Sequence, residues 1–297
     1  MQIRPLMTER RNPATENLDS MSALEIVSVM NREDALVPRR IRSALPRIAM
    51  AVDLIAKGFV RGGRLIYVGT GTSGRIGALD ASECPPTFGT SPEMVQFLIA
   101  GGEEALIHAT EASEDSADLG RRDMARKRPG KRDVIVGVAA SGFTPYTISA
   151  LQYARKRGAA TVGIACNRGS QLGKVADISI EVEVGPEVLT GSSRLKAGTA
   201  QKLICNMLTT AAMARVGYIS SNLMVNLILK NKKLEQRGIA ILEALAEVDQ
   251  ATAVQTLQKA GMKLPIALVM LKAQVSRVEA ARRLKKSRGN VRKAIEG

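Results

Sequence analysis

Aromatic residues and histidine are scarce in this chain of 297 residues. Tryptophan is absent, aromatic side chains make up 3% of the sequence, and His108 is the single histidine. The core must therefore consist of aliphatic residues and methionine, and a hydrophobic content of 45% is enough to build one. Few aromatic side chains are present on which nucleobases could stack. A tetrahedral zinc site is also disfavoured, because one histidine leaves most of its ligands to distant residues.

Cysteines and long apolar runs are equally few. Cys84, Cys166 and Cys205 are widely spaced and form no CxxC pair, so we expect reduced thiols in a cytoplasmic protein. The N-terminal segment has no apolar signal-peptide core, and no uncharged apolar run reaches the ~20 residues that span a bilayer. We therefore expect neither secretion nor membrane insertion.

Positive charge is abundant, with a formal net charge of +15. Much of the excess lies in two segments, 121–132 and 271–297. Counterion release rewards nucleic-acid binding by any basic surface. We favour a solvated surface that attracts anionic small molecules over long range, and we do not expect a nucleic-acid partner.

Five short runs of apolar and β-branched residues predict β-strands. Segments of helical character, such as 144–158, separate several of them. Strands that alternate with helices predict parallel pairing with right-handed crossovers, and the near-continuous apolar runs fit strands covered on both faces. The prediction is an α/β fold with a doubly wound parallel sheet. The five runs are 64–69, 94–100, 133–140, 160–166 and 178–184.

Helical periodicity dominates both ends of the chain. Apolar residues recur at helical spacing over 41–59, where Pro46 should kink or restart the helix, and again over 194–216. The last segment, 231–297, has helix-period apolar positions and glycine turn signals. We predict three parts: N-terminal helices over 1–62, the α/β domain over 63–230, and a small all-helical C-terminal domain over 231–297.

The first strand is followed by a glycine-rich loop, GTGTSGRIG at 69–77. Its G-x-G-x-x-G spacing lets a backbone approach a phosphate and opens a helix whose N-terminal amides point at the anion. A dinucleotide would satisfy the same pattern. That alternative requires an acidic residue ~20 positions further on, whereas Glu103 and Glu104 come about thirty positions on.

A second loop with small residues and hydroxyls, AASGFTPYT at 139–147, also follows a strand and contains Ser141 and Thr144. Ligands of open α/β sheets bind beyond the carboxyl ends of the strands. Two hydroxyl-bearing loops at that edge indicate one phosphosugar site, because neutral donors and backbone amides can hold a phosphate. The alternative interpretation is that these are tight turns and helix caps.

Two glutamates are candidates for acid and base chemistry. Glu83 lies in DASECPPTFG, where Pro85 and Pro86 should end a helix and leave Glu83 at its terminus. Glu114 lies in the acidic segment TEASEDSAD. Either could instead be an ordinary solvated surface residue.

Several long blocks of the sequence resemble the N-acetylmuramic acid 6-phosphate etherases of bacteria, across nearly the whole chain. More distantly, the chain is similar to the glucokinase regulatory proteins, which share the sugar isomerase fold. The longest and most specific blocks are GRLIYVGTGTSGRIGALDASECPPTFG at 63–89 and VGPEVLTGSSRLKAGTAQK at 184–202. Shorter ones are TERRNPATENLDSMS at 8–22, IAGGEEAL at 99–106, AASGFTPY at 139–146 and NLMV at 222–225.

The resemblance implies cleavage of the lactyl ether of N-acetylmuramic acid 6-phosphate to N-acetylglucosamine 6-phosphate and D-lactate, in cell-wall amino sugar recycling. It implies no metal or organic cofactor, and a homodimer with the site near the interface. Glu83 would be the proton donor and Glu114 the second acid or base. The residues expected to hold the phosphosugar are Thr72, Ser73, Ser141 and Thr144, with Arg194 and Lys196 near the site.

Three other functions stay open at this point. A non-catalytic phosphosugar regulator could bind DNA through 276–297, where Ser287 would cap a basic recognition helix. An aldose-ketose isomerase would use the same pocket and the same base but would not expel lactate. A dinucleotide-dependent oxidoreductase rests on residues 69–74 alone.

Overall fold

A computed structural model describes residues 6–108, 113–229 and 231–297. Its strands form at all five predicted segments, each within three residues of the predicted bounds. They are β1 Leu65–Gly69, β2 Val95–Ile99, β3 Val134–Val138, β4 Ala160–Ala165 and β5 Ile178–Glu181.

Helices occupy most of the rest of the described chain. The two long helical segments predicted near 41–59 and 194–216 are present as α3 and α8. The helices are α1 Ala23–Asp34, α2 Val37–Ile41, α3 Leu45–Val60, α4 Gly71–Phe88, α5 Ala117–Lys127, α6 Pro145–Lys156, α7 Gln171–Val175, α8 Lys196–Val216, α9 Lys232–Ala246, α10 Gln250–Lys259, α11 Leu264–Ala273, α12 Arg277–Lys286 and α13 Val291–Glu296.

The five strands form one parallel sheet in the order β2-β1-β3-β4-β5. Every residue of β1 and β3 is buried, as expected for strands covered on both faces. The predicted doubly wound α/β fold is therefore confirmed. After β1 the chain adds β2 on one side of it and β3 on the other, so the order reverses there and creates a topological switch point.

Aliphatic side chains fill the space around the sheet, and the two largest buried residues are tyrosines with polar partners. The Tyr67 hydroxyl donates to Oδ2 of Asp80 over 2.8 Å, and the Tyr146 hydroxyl donates to Oδ2 of Asp123 over 3.0 Å. Burial raises the pKa of the Asp80 carboxyl, although its hydrogen bonds offset part of the effect. These pairs satisfy hydroxyl groups that would otherwise be costly to bury.

Pro46 restarts the N-terminal helix, as predicted. The short α2 ends at Ile41, a 3₁₀ turn covers Arg42–Ala44, and α3 begins at Leu45 with Pro46 in its first turn. Proline is tolerated at that place because a first-turn N–H has no intrahelical partner in any case.

The prediction that Pro85 and Pro86 end a helix at Glu83 is wrong. Helix α4 runs through both prolines to Phe88. The prolines remove two N–H donors, but their fixed φ is helical and the lost bonds lie near the end of the helix. Gly89, at φ 64°, then terminates it, and its N–H donates to the carbonyl of Pro85 over 2.9 Å. Glu83 therefore lies within the helix and is exposed.

Contacts divide the chain into two compact units. The first comprises the described parts of Met1–Ser82 and Glu93–Thr209, and it contains the sheet. The second comprises Glu83–Pro92 and Thr210–Gly297. The predicted boundaries 1–62, 63–230 and 231–297 stay a prediction.

The second unit has an aliphatic core of its own, with Leu242, Leu257 and Leu268 among its buried residues. Its last helix, α13, has six residues and is capped by Asn290, whose Oδ1 accepts from the N–H of Lys293 over 2.9 Å. The prediction that Ser287 caps this helix is therefore wrong. The Ser287 hydroxyl donates to the carbonyl of Leu284 over 3.2 Å, at the end of α12.

The three cysteines form no disulfide with one another and are buried. Burial raises the pKa of the Cys166 thiol to about 12 and also raises that of Cys205. Within the described ranges no helix is both long and apolar enough to cross a membrane.

Candidate active site

A cavity of about 360 Å³ opens where β1 and β3 end. Both loops predicted to bind a ligand, 69–77 and 139–147, contribute to its wall. They meet because β1 and β3 are parallel neighbours, with Gly69 paired to Val138. The lining residues are Thr8, Glu9, Thr70, Gly71, Thr72, Ser73, Arg75, Ala105, Glu114, Ala139, Ala140, Ser141, Thr144 and Ser193.

The glycine-rich loop brings the start of α4 against the sheet. A Cβ on Gly69 would lie 2.9 Å from the backbone nitrogen of Gly74 and 2.9 Å from the carbonyl oxygen of Val138, so only glycine allows this approach. Gly71 opens the helix with φ 47°. The first turn of α4 therefore contributes backbone and the hydroxyls of Thr72 and Ser73 to the cavity.

Ser73 is held by a residue further along the chain. Its hydroxyl donates to Oε1 of Gln201 on α8 over 3.0 Å. Gln201 has no exposed surface, and its Nε2 has no hydrogen-bond partner among the described residues. Ser73 is thus fixed in direction at the cavity wall.

The second loop contributes Ser141 and Thr144. The Ser141 hydroxyl accepts from the N–H of Phe143 over 3.2 Å. Thr144 occupies the N-cap position of α6, but its side chain makes no capping hydrogen bond. The interpretation of these residues as ordinary helix caps therefore does not account for the Thr144 hydroxyl, which lines the cavity.

Glu114 lies in the cavity and is anchored at two points. Its Oε2 accepts from the hydroxyl of Thr70 over 3.0 Å, and its carbonyl accepts from the N–H of Tyr146 over 3.1 Å. The side chain is half-buried, in a turn before α5. The interpretation of Glu114 as a solvated residue on an acidic helix face is therefore wrong.

Glu83 is placed differently. It lies twelve residues after Gly71 on α4, and the described lining of the cavity does not include it. Glu83 belongs to the second compact unit, whereas the described cavity lining belongs to the first. The predicted catalytic pairing of Glu83 with Glu114 stays a prediction.

Arg194 and Lys196 are also absent from the described cavity lining. Arg194 is exposed, whereas the Lys196 side chain is 1% exposed and pairs with the carboxylate of Glu33. Burial alone would raise the pKa of Glu33, but the hydrogen bonds from Lys196 and Asn12 outweigh it and lower the pKa. The predicted contact of these two residues with a substrate stays a prediction.

The start of α8 is fixed by a buried carboxylate, Glu187. It accepts from the backbone N–H groups of Lys196 and Ala197, each over 2.9 Å. Burial raises the pKa of Glu187, and these two bonds offset part of the rise. The anion neutralises the positive end of the helix dipole, so this helix start is already occupied by a protein group.

Five cavity residues with polar side chains were not predicted as site residues: Thr8, Glu9, Thr70, Arg75 and Ser193. The N-terminal segment reaches the site because Asn167 holds it: the N–H of Met7 donates to Asn167 Oδ1 over 2.7 Å. In the sequence, only the resemblance pointed to these residues, because the blocks 8–22 and 63–89 contain Thr8, Glu9 and Arg75. Helical periodicity and strand patterns contain no information about such long-range contacts.

Comparison with known proteins places the chain in a class first. A model of the SIS domain matches residues 119–211, and a model of the glucokinase regulatory protein N-terminal SIS domain matches 47–155. A phosphoheptose isomerase from Francisella tularensis superposes with a TM-score of 0.53 and 19% identity, over 65% of this chain and 98% of that one. A structure from Listeria monocytogenes, described as a putative sugar-phosphate isomerase, superposes with a TM-score of 0.51 and 17% identity. The match covers 67% of this chain and 94% of that one. The fold is that of a SIS-domain protein.

Full-length relatives are more specific. The N-acetylmuramic acid 6-phosphate etherase of Geobacillus sp. (strain WCH70) is 49% identical over 98% of this chain and 99% of its own length. The N-acetylmuramic acid 6-phosphate etherase 2 of Lactiplantibacillus plantarum is 50% identical over 99% of this chain and 100% of its own length. The chain belongs to the N-acetylmuramic acid 6-phosphate etherase family.

Proposed function

We propose that this protein is a cytoplasmic carbon-oxygen lyase that cleaves the lactyl ether of N-acetylmuramic acid 6-phosphate in the recycling of cell-wall amino sugars. The observation that carries the proposal is the near-complete alignment with etherases at 49% identity. The cavity agrees with it, since about 360 Å³ accommodates one small ligand.

The phosphate is assigned to the hydroxyl-bearing side of the cavity. Thr72 and Ser73 lie in the first turn of α4, where backbone N–H groups and the helix dipole attract an anion. Ser141 and Thr144 approach from the neighbouring loop. Together they can hold a phosphate by neutral hydrogen bonds, as expected for a site that must release a phosphorylated product.

Glu114 is assigned to the proton transfers. In the open-chain sugar the aldehyde acidifies the hydrogen on carbon 2, so a base removes it while the bond from carbon 3 to the lactyl oxygen breaks. The departing lactate takes up a proton from an acid, and water then adds at carbon 3 of the unsaturated intermediate. Each positioned acid or base contributes roughly 10² to 10⁴ in rate. Glu114 is the glutamate held in the cavity by Thr70.

Glu83 is assigned as the second acid or base, supplied by another copy of the chain. It is exposed on α4 and is not part of the described cavity lining of its own copy. A homodimer with the site near its interface would bring it to the partner's cavity. The two glutamates would then share the elimination and the hydration.

The first experiment is D-lactate release from N-acetylmuramic acid 6-phosphate by the purified protein, with magnesium and with chelator in parallel. Stoichiometric lactate and N-acetylglucosamine 6-phosphate in both samples would support the proposal. A ketose phosphate without lactate would replace it by isomerisation. Tight binding of the phosphosugar with neither product would replace it by a regulatory role.

A further inference from the structure

The cavity contains one positive charge among its described lining residues. Two of the lining side chains, Glu9 and Glu114, are acidic, and the cation is Arg75 on α4. An anionic ligand group in this cavity shares it with two carboxylates. It is repelled there unless a cation is close to it.

Arg75 is held in a fixed orientation. Its Nε donates to the carbonyl of Leu106 and its Nη2 donates to the carbonyl of His108, each over 3.1 Å. The side chain is half-buried. These bonds use two of the five N–H donors of a guanidinium, and within the described ranges the other donors bond to no protein acceptor.

The position of Arg75 separates it from the second hydroxyl loop. Leu106 and His108 follow β2, whereas Ser141 and Thr144 follow β3. In the sheet, β2 and β3 flank β1 on opposite sides. Arg75 therefore lies toward one side of the cavity and the Ser141 loop lies toward the other.

The proposed substrate has two anionic groups, a phosphate and the carboxylate of its lactyl ether. The hydroxyls and the α4 amides account for the phosphate, which leaves the carboxylate without a partner. A planar guanidinium matches a carboxylate through two parallel N–H bonds. We propose that Arg75 binds the lactyl carboxylate and is the residue that selects the ether substrate over phosphosugars that lack this group.

This inference rests on the proposed function, and it gives Arg75 a role in both binding and departure. The guanidinium would hold the carboxylate before cleavage and keep the leaving lactate in place while it is protonated. A charge-assisted pair of this kind corresponds to about 10- to 100-fold in affinity. Phosphosugars without the carboxylate would gain nothing from Arg75.

The test compares the natural substrate with its lactamide analogue, in which the carboxylate is replaced by a neutral amide. Release of N-acetylglucosamine 6-phosphate is measured by chromatography for the wild type and for Arg75→Gln, Arg75→Lys and Arg121→Gln. Arg121 is an exposed control on α5, outside the described cavity lining. Thermal midpoints verify that each variant is folded.

We expect the wild type to prefer the acid over the amide about 10- to 100-fold in kcat/KM. Arg75→Gln should remove this preference through KM, Arg75→Lys should retain part of it, and the control should retain all of it. Affinity for N-acetylglucosamine 6-phosphate, measured by calorimetry, should be the same in all four proteins.

Three results would overturn the inference. The first is an equal kcat/KM of the wild type for the acid and for the amide, which would show that the carboxylate is not recognised. Loss of affinity for N-acetylglucosamine 6-phosphate in Arg75→Gln would make Arg75 a phosphate ligand. An equal fall of kcat for both substrates in Arg75→Gln would mean that Arg75 positions Glu114 and does not bind the carboxylate. If the wild type releases no lactate, the proposed function fails, and calorimetry with the acid and the amide still decides whether Arg75 binds the carboxylate.

Discussion

The hydroxyl of Ser73 lies 3.0 Å from the side-chain oxygen of Gln201, whose buried amide nitrogen has no hydrogen-bond partner in the described part of the chain. A half-turn of this amide would place its nitrogen against Ser73 as a donor. The Ser73 proton could then point into the cavity, toward a phosphate oxygen. The half-turn also exchanges an unpaired buried N–H group for an unpaired carbonyl oxygen, which is the less costly of the two. Gln201 is therefore expected to direct the Ser73 proton.

The Gln201→Glu variant should bind N-acetylglucosamine 6-phosphate at least ~10-fold more weakly, because a carboxylate can only accept the Ser73 proton and adds a negative charge. Gln201→Met keeps the length of the side chain but cannot hydrogen-bond, and should lose less. Calorimetry measures both. Equal losses in the two variants would indicate that Gln201 acts only by packing.

The Glu114→Gln variant should lose ~10²-fold or more in kcat while KM for the substrate changes little, because the amide keeps the contact with Thr70 but cannot transfer the proton. Asp115→Asn is the matched control, since Asp115 is the exposed neighbour outside the described cavity lining. Steady-state lactate release gives both constants. Near-normal turnover in Glu114→Gln would remove it from the mechanism.

Glu83→Gln alone should also lose ~10²-fold or more in turnover with substrate binding retained. The mixed dimer tests where Glu83 acts. A dimer of one Glu83→Gln copy and one Glu114→Gln copy, purified through two different tags, contains one site with both glutamates if they come from different copies. Its turnover should then be about half of the wild type. No recovery above the single variants would mean that each copy supplies both residues.

Much of the fold was predictable because its strands are short, apolar and separated by helices. A parallel sheet places the ends of neighbouring strands at one edge, so the convergence of the loops after β1 and β3 followed from the pattern. The hydroxyls of Ser73 and Thr144 were identified on that basis together with the resemblance. Local patterns were sufficient wherever the site is built from strand ends.

The rest of the site depends on contacts between distant segments. Asn167 holds the segment that brings Glu9 to the cavity, through its bonds with Met7 and Thr8. Arg75 is oriented by carbonyls more than thirty residues away. Helix α4 continues through Pro85 and Pro86 because the fixed φ of proline is helical and the lost bonds lie near the end of the helix, so two prolines alone do not predict where it stops. None of these contacts has a periodicity that a sequence reveals.

The ion pair between the buried Lys196 and the partly exposed Glu33 should make stability depend on pH. The pKa of Glu33 is lowered, because the bonds from Lys196 and Asn12 outweigh the effect of burial. Its contribution is therefore fully present above its ordinary pKa of 4.5 and is lost as the pH falls through the lowered value. Below that value the wild type and a Glu33→Gln variant both have a neutral side chain at position 33.

Glu33→Gln should lower the free energy of unfolding by about 3 kcal/mol at neutral pH, because it leaves the Lys196 ammonium buried with weaker compensation. This is the low end of the expected cost, since Glu187 also attracts the ammonium. Urea unfolding of wild type and variant from pH 7 to pH 3 measures the difference, which should shrink at acid pH. Glu16→Gln, at an exposed position, is the control.

The double variant Glu33→Gln/Lys196→Met separates the charge from the packing of this pair. Methionine fills most of the lysine volume without a charge, so the double variant should recover part of the stability lost in Glu33→Gln. If the two single effects simply add, the residues do not interact in the folded protein. A pH-independent loss in Glu33→Gln would lead to the same conclusion, because a depressed carboxyl pKa requires a loss that grows as the pH rises.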